Sequence, residues 1–212
     1  MSRRDFPQQL ALADKQLAKA DPTLRRLIRA HGPCGLAPAW RRVPFQALVQ
    51  AIIYQQLHGR AAATILQRLI DLFPDAEFPT PQHLLAASDP ALRGVGLSRQ
   101  KMGYLRDLAA KTEAGLVPLR RAALARASDE EVIARLTQVK GIGRWTVEML
   151  LIFTLGRLDV LPVDDYGVRK GYTRAAGRDT PVTPTELRRL GDAWAPWRSV
   201  AAWYFWRESE DK

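Results

Sequence analysis

The segment Val139-Lys140-Gly141-Ile142-Gly143-Arg144-Trp145-Thr146 constrains this chain more than any other, because it must break one helix and start another within a few residues. Before it, Val132, Ile133, Leu136 and Val139 recur at spacings of three and four, which predicts a helix over Glu130 to Val139. Lys140 and Gly141 end that helix, since glycine takes the positive φ of a tight helix stop. The apolar pattern restarts at Trp145 and runs to Phe153, so the expected unit is helix, short hairpin, helix. Without side chains on Gly141 and Gly143, a phosphate can approach backbone N–H groups at the positive end of the second helix, flanked by the charges of Lys140 and Arg144. An ordinary helix–helix turn capped by glycine explains G-x-G equally well, so the motif needs support from elsewhere.

That support comes first from charge. Lys and Arg number 32 against 22 Asp and Glu, giving a net charge of +10 and a pI near 10.2, as expected of a protein that binds a polyanion. With 212 residues, 47% of them hydrophobic, the chain can bury the core of one large or two small domains. No apolar stretch reaches transmembrane length, and Met-Ser-Arg-Arg-Asp-Phe-Pro lacks the apolar core of a secretion signal, so a soluble intracellular protein is expected, cytoplasmic or, in a bacterium, associated with the nucleoid. Cys34, the only cysteine, can form neither an intramolecular disulfide nor an iron–sulfur site, which takes four thiolates. His31, His58 and His83 match no zinc spacing, so neither a metal nor a cofactor is expected.

Helical patterns dominate the remainder, over residues 44–58, 60–72, 99–113, 185–194 and 197–208. Breaks fall at Phe73-Pro74-Asp75, Phe78-Pro79-Thr80-Pro81, Gly94-Val95-Gly96 and Thr180-Pro181-Val182-Thr183-Pro184. Strand-like alternation is scarce. The predicted fold is all-α with two helical lobes, a central one over about 44–160 and a second built from 1–43 and 161–212, with an active site between them.

A second motif, Leu161-Pro162-Val163-Asp164-Asp165-Tyr166, puts two carboxylates at the start of a further helix, where aspartate serves well as an N-cap. Together with the hairpin, the earlier run Ala51-Ile-Ile-Tyr-Gln-Gln-Leu-His-Gly-Arg-Ala-Ala-Ala-Thr-Ile65 and the late run Pro196-Trp-Arg-Ser-Val-Ala-Ala-Trp-Tyr-Phe-Trp206, it resembles the helix-hairpin-helix (HhH-GPD) DNA glycosylase superfamily. Within it the chain resembles the 3-methyladenine DNA glycosylase II (AlkA-like) branch, over roughly residues 40 to 208. Longer members of that branch carry an additional N-terminal α/β domain, for which this chain has no room, so the likeness is to the shorter, two-lobed members.

The resemblance implies excision of alkylated purines such as 3-methyladenine and 7-methylguanine from double-stranded DNA by a monomeric enzyme that flips the base out of the stack. It assigns Asp165 as the catalytic carboxylate, which stabilises the oxocarbenium-like sugar and orients water, with Asp164 capping or supporting. Trp145, Tyr166 and Trp206 would line the base pocket, where ring faces attract a cationic base, and Met149 falls where longer relatives have tyrosine. Trp145 and Trp206 also lie in apolar helical runs, where a core role is the default. The wedge that fills the gap left by the flipped base would come from Gln56, Leu57 or His58; alignment points to Gln56, chemistry to Leu57, and a core role for Leu57 is equally open. The hairpin's DNA backbone contacts are Lys140, Gly141, Gly143, Arg144 and Thr146, with Arg169 and Lys170 as further phosphate contacts and a steep salt dependence expected. Bifunctional relatives carry a Schiff-base lysine where this chain has Trp145, which implies hydrolysis without strand cleavage. The competing readings are excision of another lesion, such as hypoxanthine, ethenoadenine or an oxidised purine, and a non-catalytic module that only binds the DNA backbone.

Overall fold

Capping residues set where the helices begin. Thr80, Ser88, Ser98, Ser128 and Thr183 each accept a hydrogen bond from the backbone N–H three residues on, while Pro22, Pro44, Pro81 and Pro184 occupy first helical positions, where no N–H is missed. In the computed structural model, which describes residues 4–210, these and other starts give α1 (Phe6–Ala20), α2 (Pro22–His31), α3 (Pro44–Tyr54), α4 (Gly59–Asp71), α5 (Pro81–Ala86), α6 (Asp89–Gly94), α7 (Arg99–Glu113), α8 (Asp129–Leu136), α9 (Arg144–Phe153), α10 (Tyr166–Ala175), α11 (Pro184–Leu190) and α12 (Arg198–Glu210). Single 3-10 turns occupy Arg121–Leu124 and Gly191–Trp194. No strand occurs among the described residues, as the helical periodicity predicts, and none of their helices is long and apolar enough to cross a membrane.

Several expected helices are shorter than their apolar patterns. The predicted 44–58 helix stops at Tyr54, because Gln55 leaves helical geometry at ψ 129° and Gln56 takes a left-handed φ of 56°. The 130–139 helix ends at Leu136; Val139 is buried as the periodicity expects, but in a turn whose N–H donates to Leu136. The 185–194 pattern splits into α11 and a 3-10 turn at Gly191, where a Cβ would strike Leu161.

Two compact units divide the chain: residues up to Trp40 with those from Leu151 onward, and Arg41–Leu150. The second division falls inside α9, which continues unbroken from the hairpin to Phe153, rather than near residue 160. In the Arg41–Leu150 unit, Leu48, Val49, Ile52 and Ile53 of α3 are fully buried along with Leu105, Leu108 and Ala109 of α7, the two helices being in contact. Each of these leucine, isoleucine and valine side chains contributes about 1.5–3 kcal/mol of burial. In the other unit α10 packs on α12 so closely that a Cβ on Gly171 would overlap the carbonyl oxygen of Phe205. Tyr172, Trp194 and Phe205 form an aromatic cluster there with ring centroids 5.1 to 5.8 Å apart. The Trp194 indole N–H donates to Asp21 (2.8 Å), whose other carboxylate oxygen caps α2.

Candidate functional site

The candidate residues fall into two groups, one in each unit. In the Arg41–Leu150 unit, two tight turns carry the chain from α8 to α9, with the Ile142 N–H donating to Val139 at 3.1 Å. Gly141 has a φ of 79°, and a Cβ there would run into the ring of Tyr104 on α7. Its missing side chain therefore serves packing as well as the turn. Gly143 differs, since a Cβ there would meet nothing within 4 Å; it is an exposed backbone position open to an incoming group. The hairpin is pinned from α7 by Asp107, whose Oδ2 accepts the Lys140 N–H (2.8 Å) and the Lys111 ammonium (2.7 Å). Burial pushes the Asp107 carboxyl up, but the Lys111 and Lys140 hydrogen bonds and both charges outweigh it and hold the group below the ordinary aspartate range.

Two hairpin residues are engaged in ways their sequence does not show. The Arg144 guanidinium forms a bidentate pair with Glu130 at 2.8 and 2.6 Å, because α8 presents that carboxylate to the start of α9. An exposed pair of this kind stabilises by only about 0–1 kcal/mol, so a phosphate can exchange for it. Thr146 is buried, which removes its side chain from the surface. Lys140 is exposed, and Trp145 is 47% exposed, overturning a core role, while Met149 is half-buried.

The wedge candidates sit on the turn from α3 to α4. Gln56, Leu57 and His58 are all exposed, Leu57 at 39%, so Leu57 is no core residue. Gln56 holds its left-handed φ without being glycine, a conformation that costs about 1 kcal/mol or more and recurs at functional turns. Gln55 explains how the turn is held: its Nε2 donates to the Gly141 carbonyl at 2.8 Å.

In the other unit, α10 begins at Tyr166 and its N-cap is Asp165. Asp165 Oδ1 accepts the Val168 N–H at 2.8 Å and the Trp206 indole N–H at 2.8 Å, and only 9% of the residue is exposed. The expectation that Asp164 caps the helix is thereby corrected: the helix starts one residue later than that role requires, and Asp164 is exposed. Gly167 makes the Trp206 contact possible, since a Cβ there would stand 2.9 Å from the indole ring. Trp206 is thus a hydrogen-bond donor to the carboxylate as well as an aromatic face, packed against Phe153 with centroids 5.4 Å apart. Tyr166 is 73% exposed and Phe153 36%, unusual for large aromatic side chains in a protein of this size.

Tyr166 continues into a cleft of about 320 Å³ along α10, lined also by Arg169, Lys170, Thr173, Arg174 and Arg178. Lys170 donates to the Ser209 carbonyl (3.0 Å), Arg174 pairs with Glu208 (3.2 Å) and Arg178 with Glu186 (2.6 Å). Sequence reasoning missed Phe153, Arg174 and Arg178. For Arg174 a signal existed, because 166, 169, 170, 173 and 174 share one face of a 3.6-residue helix. Among the described residues no group of three His, Cys, Asp or Glu could hold a metal ion.

The chain matches the family described as HhH-GPD superfamily base excision DNA repair protein over residues 49–196. It is similar to DNA-3-methyladenine glycosylase 1 of Schizosaccharomyces pombe, 38% identical over 98% of this chain and 91% of that protein. DNA-3-methyladenine glycosylase 2 of Escherichia coli is 30% identical over 84% of this chain and 64% of its own length. Among solved structures, that of Schizosaccharomyces pombe 3-methyladenine DNA glycosylase (Mag1) in complex with abasic DNA superposes with a TM-score of 0.83 at 37% identity, covering 92% of this chain and 95% of that one.

Proposed function

Because the chain belongs to the HhH-GPD superfamily of base excision DNA repair proteins, we propose that it is a DNA glycosylase that removes alkylated purines from duplex DNA by hydrolysis, acting as a monomer and leaving the strand intact. The observation that carries the reading is Asp165: a carboxylate 9% exposed, fixed by the Val168 and Trp206 N–H groups and followed directly by an aromatic ring 73% exposed.

The chemistry follows from the charge of the lesion. A purine methylated at N3 or N7 carries a positive charge, so it is drawn to the electron-rich face of Tyr166, next to Asp165, more strongly than a normal base. It also departs as a neutral molecule, so cleavage of the bond from C1′ to the base needs no general acid. The sugar becomes cationic as that bond lengthens, and the Asp165 carboxylate stabilises it. Water then adds at C1′ and gives its proton to Asp165, which leaves a hydroxyl at the abasic sugar. Two N–H donors on Oδ1 hold the carboxylate in one orientation throughout.

Trp145 offers no amine, so no Schiff base forms at that position and the strand stays whole. Gly143 and Lys140 at the hairpin, with Arg144 released from Glu130, supply phosphate contacts, and Arg169, Lys170 and the α10 cleft supply more. Gln56 is the wedge, on its exposed and strained turn. The test is chromatography of bases released from duplex DNA treated with a methylating agent, with the same DNA run on a denaturing gel. Free 3-methyladenine with full-length strands is the expected result. Nicked strands that trap the protein on borohydride reduction would overturn monofunctional hydrolysis, and absence of any released base would leave a DNA-binding module.

A further inference from the structure

Helix α7 presents Lys101, Tyr104, Asp107 and Lys111 along one face, at spacings of three and four. Three of these residues meet the hairpin: Tyr104 lies against Gly141, Asp107 accepts the Lys140 N–H, and Lys111 donates to the Gln138 carbonyl as well as to Asp107. The fourth meets the turn that carries Gln56. Lys101 Nζ donates to the carbonyls of Ile53 (2.7 Å) and Gln55 (2.8 Å), which are the groups left over where α3 ends. Gln55 closes the circuit by donating from its side chain to the Gly141 carbonyl.

We infer that Lys101 and Gln55 are positioning residues: α7 acts as a splint that fixes the Gln56 turn to the hairpin, so that gripping a phosphate and inserting the wedge occur in one register on the DNA. The inference rests on the functional reading above for what Gln56 and the hairpin touch. Its physical basis lies in the turn itself. Gln56 is held in a backbone conformation that a non-glycine residue leaves readily, and the ammonium of Lys101 bonds the residue immediately before it. Burial lowers the pKa of Lys101 from the ordinary lysine range, as for an ammonium partly drawn out of water, and the two carbonyls accept its hydrogen bonds there. A lysine needed only for solubility or general DNA attraction has no reason to sit there. Lys101 is therefore distinct from the phosphate-contacting cations, being spent on the backbone of its own protein.

The test separates wedge insertion from binding and from chemistry. A duplex holding a tetrahydrofuran abasic analogue beside 2-aminopurine reports insertion as a fluorescence change, and it already lacks a base, so it needs no excision. At saturating protein, Lys101→Met is expected to cut that change by about tenfold or more, the effect of losing charge-assisted hydrogen bonds. Affinity for undamaged duplex should stay within about twofold, because Tyr104 and Asp107 still hold the hairpin. Lys101→Arg should restore much of the signal, since its guanidinium can donate to both carbonyls. Gln55→Leu, which deletes only the tether to Gly141, should lose the signal likewise and carries the test if Lys101→Met fails to fold. A wild-type fluorescence change in a folded Lys101→Met or Gln55→Leu protein overturns the inference, as does a loss of undamaged-duplex affinity equal to the loss of signal. Failure of the wild-type protein to release methylated bases would refute the functional reading alone and leave this readout standing.

Discussion

Replacing Trp206 with phenylalanine removes the indole N–H that reaches Asp165 at 2.8 Å while keeping an aromatic ring opposite Phe153. A hydrogen bond to a charged group is worth about 1.5–3 kcal/mol, and the half-buried position of Trp206 puts this one near the lower figure. If the bond orients the carboxylate for the reaction, about 1.5 kcal/mol of transition-state stabilisation is lost, which is roughly tenfold in the rate of base release. Single-turnover excision from methylated duplex measures that rate free of binding and product release. The double variant Trp206→Phe with Asp165→Asn then separates orientation from packing. Once the carboxylate is gone, losing the indole N–H should change the residual rate by less than about twofold, as expected for two residues that act as a unit. A single-variant rate within about twofold of wild type, or losses that multiply in the double variant, would refute the role assigned to Trp206.

The two hairpin glycines should behave oppositely. Gly141→Ala forces a Cβ into the Tyr104 ring at a positive φ and should lower the melting temperature, whereas Gly143→Ala should leave it unchanged and weaken binding to duplex DNA. Thermal melts beside fluorescence anisotropy separate the two. Gly171→Ala pushes against the Phe205 carbonyl, so it should destabilise by about 3 kcal/mol, or about 6–12 °C in melting temperature for a chain of this size. Asp107→Asn should cost about 1 kcal/mol at neutral pH in denaturant titrations. The Asp107 carboxyl is depressed in the folded state, so its contribution is present above the unfolded-state pKa and disappears as pH falls through the folded one. The difference between wild type and variant should close over that acidic window.

The hairpin and the α7 helix were legible because each is specified locally. Ser98 caps α7 and its apolar spacing runs its full length, and glycine at 141 marks a stop wherever it falls. Local signals also misled. Apolar periodicity continues to Val139 because that residue is buried, yet the turn has already begun, so burial and helix end at different residues. Asp164 and Asp165 suit an N-cap equally by type, and only the start of α10 at Tyr166 separates them. The bond from Trp206 to Asp165 joins residues 41 apart in the chain, and it depends on Gly167 giving the indole room. Nothing in the spacing of either motif encodes it. The exposure of Trp145 was equally hidden, since an aromatic residue in an apolar run reads as core whether or not the fold covers it.

In the proposed function Asp165 carries the chemistry as well as the cap of α10. Asparagine at 165 can still accept the Val168 and Trp206 N–H groups through its amide oxygen, so folding and DNA affinity should persist. The most direct measurement is therefore the single-turnover release of 3-methyladenine and 7-methylguanine by wild type and by Asp165→Asn at matched DNA occupancy. A loss of about a hundredfold or more is expected in the variant, with binding retained. Release at the wild-type rate by a folded, DNA-bound Asp165→Asn protein would contradict it.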